Sequence, residues 1–155
     1  DNPGVTSIRK IKDGFFSIGP WGMDIIGVDG VTLTLNDIEH RILRPLYEEP
    51  RVHFAVNCAS MGCPNLQPEP WRADSLEARY EAAARAFIAH PRGLTLAGNT
   101  VTLSAIFKWF SEDFGEDRKA VLDWVATYAA PQTAQQLRQF DGRVRYDYDW
   151  SLNSP

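Results

Sequence analysis

The stretch RVHFAVNCASMGCPNLQPEPW, Arg51 to Trp71, gathers His53, the chain's two cysteines, Cys58 and Cys63, and three prolines. A thiol beside an imidazole is a familiar nucleophilic pair, because the base draws the proton from sulfur and the thiolate attacks a carbonyl. The alternation in RVHFAVN predicts a strand, with Val52, Phe54 and Val56 on one face and His53, Ala55 and Asn57 on the other. Each strand residue advances about 3.3 Å, so the Cα atoms of His53 and Cys58 would stand roughly 16 Å apart. A direct pair would need a sharp reversal after Asn57. On this reading His53 serves a group from another segment or is an ordinary strand histidine. Cys58 finds its base elsewhere, in His40 or in a residue outside this chain.

The two cysteines carry several readings. A disulfide between Cys58 and Cys63 would close a six-residue loop worth roughly 2 kcal/mol by chain entropy. Two structural thiols or a reactive Cys58 are the alternatives. Zinc held by the cysteines with His40 and His53 does not fit the spacing of structural zinc sites, so no metal and no cofactor is expected. Glu39 is the acid of most interest. At about 100° per residue it falls between Ile42 and Leu43, inside the apolar arc begun by Ile38, so its carboxylate points inward. It either closes a capping box with Asn36 or orients a histidine or binds substrate. His40 lies at the border of that arc. Asp147 and Asp149 share a strand face about 7 Å apart. Trp109 and Trp150 read as core or rim aromatics.

The elements that must position these groups follow from periodicity. Asp29-Gly30 between β-branched runs predicts a hairpin with strands over 23 to 28 and 31 to 35. Asn36 then caps a short helix over 37 to 43, stopped by Pro45. Leu76, Tyr80, Ala83, Ala84, Phe87 and Ile88 recur at helical spacing between Asp74 and His90. LTLAGNTVTL predicts a second hairpin, and Ser104 caps a helix carrying Ile106, Phe107, Phe110 and Phe114. A further helix spans about 117 to 129, and PQTAQQLRQF adds a short turn or helix. RVRYDYDWSLN ends the chain as a half-buried strand. Strands and helices mix without a βαβ repeat. The predicted class is α+β, a mostly antiparallel sheet with hairpins packed against several amphipathic helices.

A chain of 155 residues, 44% hydrophobic, can bury one sizeable core, so residues 1 to 155 are expected to form a single domain. The formal charge of −4 and scattered Lys and Arg give no basic stripe, which argues against nucleic acid as a partner. No apolar run is long enough for a membrane span, and the first residues, which lack a start methionine, are expected to be a mature or trimmed end, which leaves the compartment open.

LTLNDIEHRILRP, RVHFAVNCASMGCP, LSAIFKWFSEDFG and YDYDWSLN, in that order, resemble the bacterial branch of the family catalogued as domain of unknown function 547. The resemblance implies a domain that usually continues upstream of SIRKI with an aromatic-rich helical segment. The chain is therefore expected to be the C-terminal part of that domain, with an N-terminal fragment of the same protein as a partner. It also implies that Glu39, His40, His53, Cys58, Cys63 and Asp149 sit inside family motifs. Bacterial members often look exported, which favours a periplasmic or secreted location and the disulfide. By fold-level analogy with papain and transglutaminase hydrolases, His53 would sit on a strand and the nucleophile on the upstream helix.

Two functions follow. One is a thiol-hydrolase or acyl-transfer enzyme, with His53 as general base, Glu39 or Asp149 orienting it, and Cys58 or an absent residue as nucleophile. The other is a non-catalytic binding domain whose disulfide-stapled loop presents Asn57, Ser60, Asn65 and Gln67 to a small-molecule or peptide ligand. His40, Cys63 and Asp149 join the binding set in either case.

Overall fold

The computed structural model describes residues 4–11 and 19–153. They gather into two compact units, one drawn from Asp1–Glu49, Cys58–Cys63 and Asp149–Pro155, the other from Pro50–Asn57 and Pro64–Tyr148. The fold class is α+β.

In the first unit, β1 (Ile26–Val28) pairs antiparallel with β2 (Val31–Leu33), Ile26 opposite Leu33 and Val28 opposite Val31. Asp29 and Gly30 both take positive φ, 48° and 80°, as a two-residue turn matching the twist of its strands requires. Helical backbone begins two residues before the sequence reading placed it. Thr34 Oγ1 accepts the Asp37 N–H at 3.0 Å, while the Asp37 carboxylate accepts the Thr34 N–H at 3.0 Å and its hydroxyl at 2.8 Å. That reciprocal cap displaces the box expected from Asn36, whose backbone is already helical.

Asp37–Leu43 is wound as a π-helix and runs into α1 (Arg44–Tyr47), so Pro45 does not stop the helix. Pro45 offers no amide to the Arg41 carbonyl and crowds it with its ring. The wider turn, in which the Arg44 N–H reaches the Glu39 carbonyl, accommodates that ring. Glu48, at φ 46°, ends the helix.

In the second unit the expected strand over RVHFAVN is absent. Pro50–Phe54 is a 3-10 helix, with the Ala55 and Val56 amides both donating to the Val52 carbonyl at 2.9 and 3.1 Å. Pro50 suits the first helical position, since its missing N–H would be unpaired there anyway. Val52, His53 and Phe54 are all buried, which a strand exposing one face would not give. With three residues per turn their side chains leave in three directions, so the segment is enclosed all round. Arg51 pins it to α2 (Leu76–Ala89), meeting Glu77 through both guanidinium nitrogens at 2.6 and 2.9 Å and lying over the Tyr80 ring.

β3 (Leu94–Ala97) pairs antiparallel with β4 (Thr100–Ser104), as the hairpin pattern predicts. β5 (Arg143–Asp147) pairs with β4 in parallel, so this sheet is mixed, while the other two strand pairings are antiparallel. Parallel neighbours need a long crossover. It is supplied by α3 (Ile106–Trp109), α4 (Ser111–Phe114), α5 (Arg118–Tyr128) and α6 (Pro131–Arg138). One sheet face carries Leu94, Leu96, Val101, Leu103, Val144 and Tyr146 onto the core, where Phe54, Phe87, Phe107, Val125 and Leu137 are almost wholly buried. Truncating Phe54 to alanine in such packing costs about 3–5 kcal/mol.

The expected disulfide is also overturned. Cys58 and Cys63 are free thiols and are not at disulfide distance. Their loop is closed by backbone bonds instead: Cys63 N–H to Ser60 O at 3.1 Å, Met61 N–H to Ser151 O and Gly62 N–H to Asp149 O at 2.8 Å each, and Asn153 N–H to Ala59 O at 2.9 Å.

Candidate functional site

His53 meets an acid that the sequence reading passed over. Its Nε2 lies 2.7 Å from Oδ2 of Asp113. The histidine side chain is 1% exposed and the aspartate side chain 22%, so the pair has one foot in the core and one towards water. A carboxylate only accepts, so Nε2 carries the proton and, in the neutral ring, Nδ1 carries the lone pair.

The way α4 is built explains the meeting. The helix expected to run unbroken through Ile106, Phe107, Phe110 and Phe114 breaks at Phe110, where φ is −119° and ψ 35°, leaving two single turns. The Asp113 N–H then donates to Phe110 O at 2.9 Å. Gly115 closes the turn at φ 153°, where a Cβ would stand 2.5 Å from Ala120 Cβ. Phe110, Asp113 and Phe114 have the i, i+3, i+4 spacing that puts side chains on one helix face. All three reach the imidazole: Phe110 stacks on it at 4.1 Å and 20°, Phe114 tilts against it at 5.4 Å, and Asp113 binds its edge.

Asn57 is in the same unit. Its Nδ2 donates to Pro64 O at 2.7 Å, which ties together the two ends from which the cysteine loop leaves.

The cysteine loop has its own geometry. The Cys58 amide approaches Cys63 Sγ at 2.9 Å, and Cys58 Sγ lies 3.0 Å from Ser60 Oγ. Ser60 and Cys63 are buried, while Cys58 is half-buried. Between them Ala59 takes φ 60°, a left-handed conformation that costs an L-residue roughly 1–2 kcal/mol. Asp149 holds Ser151 through its amide at 2.9 Å and its hydroxyl at 2.6 Å. The Ser151 hydroxyl, then its amide, keep the Asp149 carboxyl below the usual carboxylate range.

Of the residues singled out from the sequence, Cys58, Ser60, Cys63 and Asp149 meet in this one loop-and-tail arrangement. Glu39 is half-buried on the π-helical turn, and His40 is exposed with its Nδ1 3.4 Å from Arg44 Nη1. The strand ends at Asp147, so Asp147 and Asp149 do not continue one strand face. Asp113 was missed and Phe110 was read only as an apolar helix residue, although the F-x-x-D-F pattern of WFSEDFG held them at helical spacing. Among the described residues, no cluster of three or more His, Cys, Asp and Glu side chains could hold a metal ion. No described helix is long and apolar enough to cross a membrane.

The model of the family described as "Protein of unknown function, DUF547" matches residues 17–88 and supports that domain family. The matched span takes in Glu39, His53 and both cysteines, whereas Asp113 lies beyond it. No curated protein and no solved structure matches the chain.

Proposed function

We propose that this chain is an enzyme of the thiol-hydrolase or acyl-transfer kind, with His53 as general base and Asp113 holding it in register. The observation that carries the reading is the 2.7 Å bond between His53 Nε2 and Asp113 inside an aromatic shell. In such a step the imidazole takes the proton of the attacking group as it adds to an acyl carbon. The carboxylate stabilises the imidazolium, which returns the proton to the leaving group. Asp113 takes the orienting part that the sequence reading gave to Glu39 or Asp149.

The thiol half of the proposal rests on the cysteine loop itself. Cys58 is in no disulfide and is half-buried, and a Ser60 hydroxyl 3.0 Å from its sulfur can donate to a thiolate. Within the DUF547 family we assign the chain to the bacterial branch, on the four motifs that span it.

The test is turnover of a panel of acyl esters, thioesters and amides by the wild type and by His53→Ala, Asp113→Ala and Cys58→Ser. Removing the base is expected to cost about 10²–10⁴-fold. Turnover by His53→Ala equal to the wild type would refute the reading.

A second reading, a binding or interaction domain, draws on the first hairpin. Ile26, Val28 and Val31 share one sheet face and are 45%, 47% and 58% exposed, an unusual surface for strands of this type. On this reading the chain self-associates in sedimentation, and a charged substitution on that face, such as Val31→Lys, abolishes the association.

A further inference from the structure

We infer that the outer edge of β5 is a docking site for an extended peptide segment with acidic side chains at alternate positions, which joins the three-stranded sheet as a further strand. The inference goes beyond the proposed chemistry and does not depend on it.

The sheet order is β3-β4-β5, so β5 has a strand on one side only. A parallel ladder draws on the N–H and C=O of every second residue of each strand. The Arg143 N–H donates to Asn99 O at 3.0 Å, and the Asp147 C=O accepts the Ala105 N–H at 2.8 Å, so Arg143, Arg145 and Asp147 turn their backbone groups towards β4. Val144 and Tyr146 turn theirs away, and among the described residues nothing hydrogen-bonds those groups. Two donors and two acceptors thus stand on an open edge, the template that an added strand uses.

The side chains set the sign of the partner. Val144 and Tyr146 lean on the core, while Arg143, Arg145 and Asp147 share the exposed face, successive residues about 7 Å apart. Among the described residues neither Arg143 nor Arg145 has an ion pair, and their register partners on β4, Thr100 and Thr102, bring no charge. Arg118, which donates to Gly142 O at 3.0 Å, puts a third guanidinium at the start of the strand. A segment with carboxylates opposite Arg143 and Arg145, and none opposite Asp147, matches this row. A second copy fits less well. Antiparallel pairing of all five residues sets Arg145 against Arg145 across the dyad, where like charges repel. Moving the dyad to Tyr146 calls on Tyr148, whose N–H is already held by Asp147 Oδ1 at 2.9 Å.

The experiment is amide hydrogen exchange by NMR on the full 155-residue chain, with a capped peptide of alternating glutamate and threonine as the probe. In the chain alone the Val144 and Tyr146 amides are expected to exchange fast and the Arg145 amide slowly. The peptide is expected to slow the first two. The same peptide N-methylated at its threonines keeps the charge but loses the ladder, and is expected to leave them fast. Arg143→Glu with Arg145→Glu, both on the exposed face, is expected to weaken binding about tenfold or more at an unchanged melting temperature. The inference is overturned if the glutamate peptide never slows the two amides, or if the N-methylated peptide or one with lysine in place of glutamate slows them equally. Protection that grows with protein concentration in the absence of peptide overturns it too, by placing a second copy on the edge. None of these readouts involves turnover, so the enzymatic reading can fail while this one stands.

Discussion

Replacing Asp113 by alanine strips the acceptor from a buried ring N–H. His53 is 2% exposed, and its Nε2 sits 2.7 Å from the carboxylate, so the stranded donor regains little water when its partner goes. An unsatisfied buried polar group costs about 1–3 kcal/mol, and bonds to charged partners fall in the upper part of that range. About 2 kcal/mol is therefore expected. For a chain of this length each kcal/mol moves the melting temperature by about 2–4 °C, which gives a fall of about 4–8 °C by calorimetry. Asp113→Asn keeps an acceptor oxygen and should lose less than half as much. A His53→Phe background supplies the control. With no ring N–H to satisfy, the Asp113→Ala penalty should shrink, leaving a coupling energy of about 1–3 kcal/mol in the double-mutant cycle. Equal losses for the alanine and asparagine variants, or an undiminished penalty in the His53→Phe background, would show that the bond does not hold the ring.

Other consequences follow from the first unit. Thr34→Ala should cost about 1 kcal/mol in urea denaturation as the helix loses its cap, whereas Asn36→Ala should stay within about 0.5 kcal/mol. The Asp37 carboxyl is brought to about 2 from 3.8, first by the Thr34 amide and then by the Thr34 hydroxyl and Arg41. A carboxylate depressed by folding stabilises above its unfolded value, so this contribution is complete above pH 4–5 and is lost as pH falls from about 4 through about 2. Asp37→Asn should flatten that part of the acid limb in a circular-dichroism titration. Ala59→Gly should raise stability by roughly 0.5–1 kcal/mol, because glycine takes the left-handed conformation freely. With both cysteines free, thiol titration of the unfolded chain should find two thiols and added reductant should leave the melting temperature unchanged; a mass lower by two hydrogens would contradict this.

Much of the fold was legible where one rule dominated locally. Asp29-Gly30 specified its turn, and the apolar spacing from Leu76 to Ile88 specified α2. The failures came where two rules competed. Val52, Phe54 and Val56 alternate like a strand, yet Pro50 and enclosure on every side made the segment a 3-10 turn. Asn36 with Glu39 and Thr34 with Asp37 both spell a cap, and spacing alone does not rank them. Pro45 reads as a stop unless the helix can widen around it. The parallel pairing of β5 with β4 depends on a crossover across some forty residues, and no local pattern encodes it. For the site, His53 was visible as a titratable group in a motif. Its partner was hidden by distance in the chain, sixty residues away, and by a helix break that turns the carboxylate towards the ring.

The central claim, that His53 is a general base, is tested most directly by chemical rescue. His53→Gly is assayed on the best acyl substrate of the panel with imidazole titrated into the medium, its fold checked by circular dichroism. The account predicts turnover that is lost in the variant and returns with imidazole concentration, saturating as the vacated space fills. A correctly folded variant that turns over at the wild-type rate without imidazole, or one that stays inactive at every imidazole concentration, would contradict it.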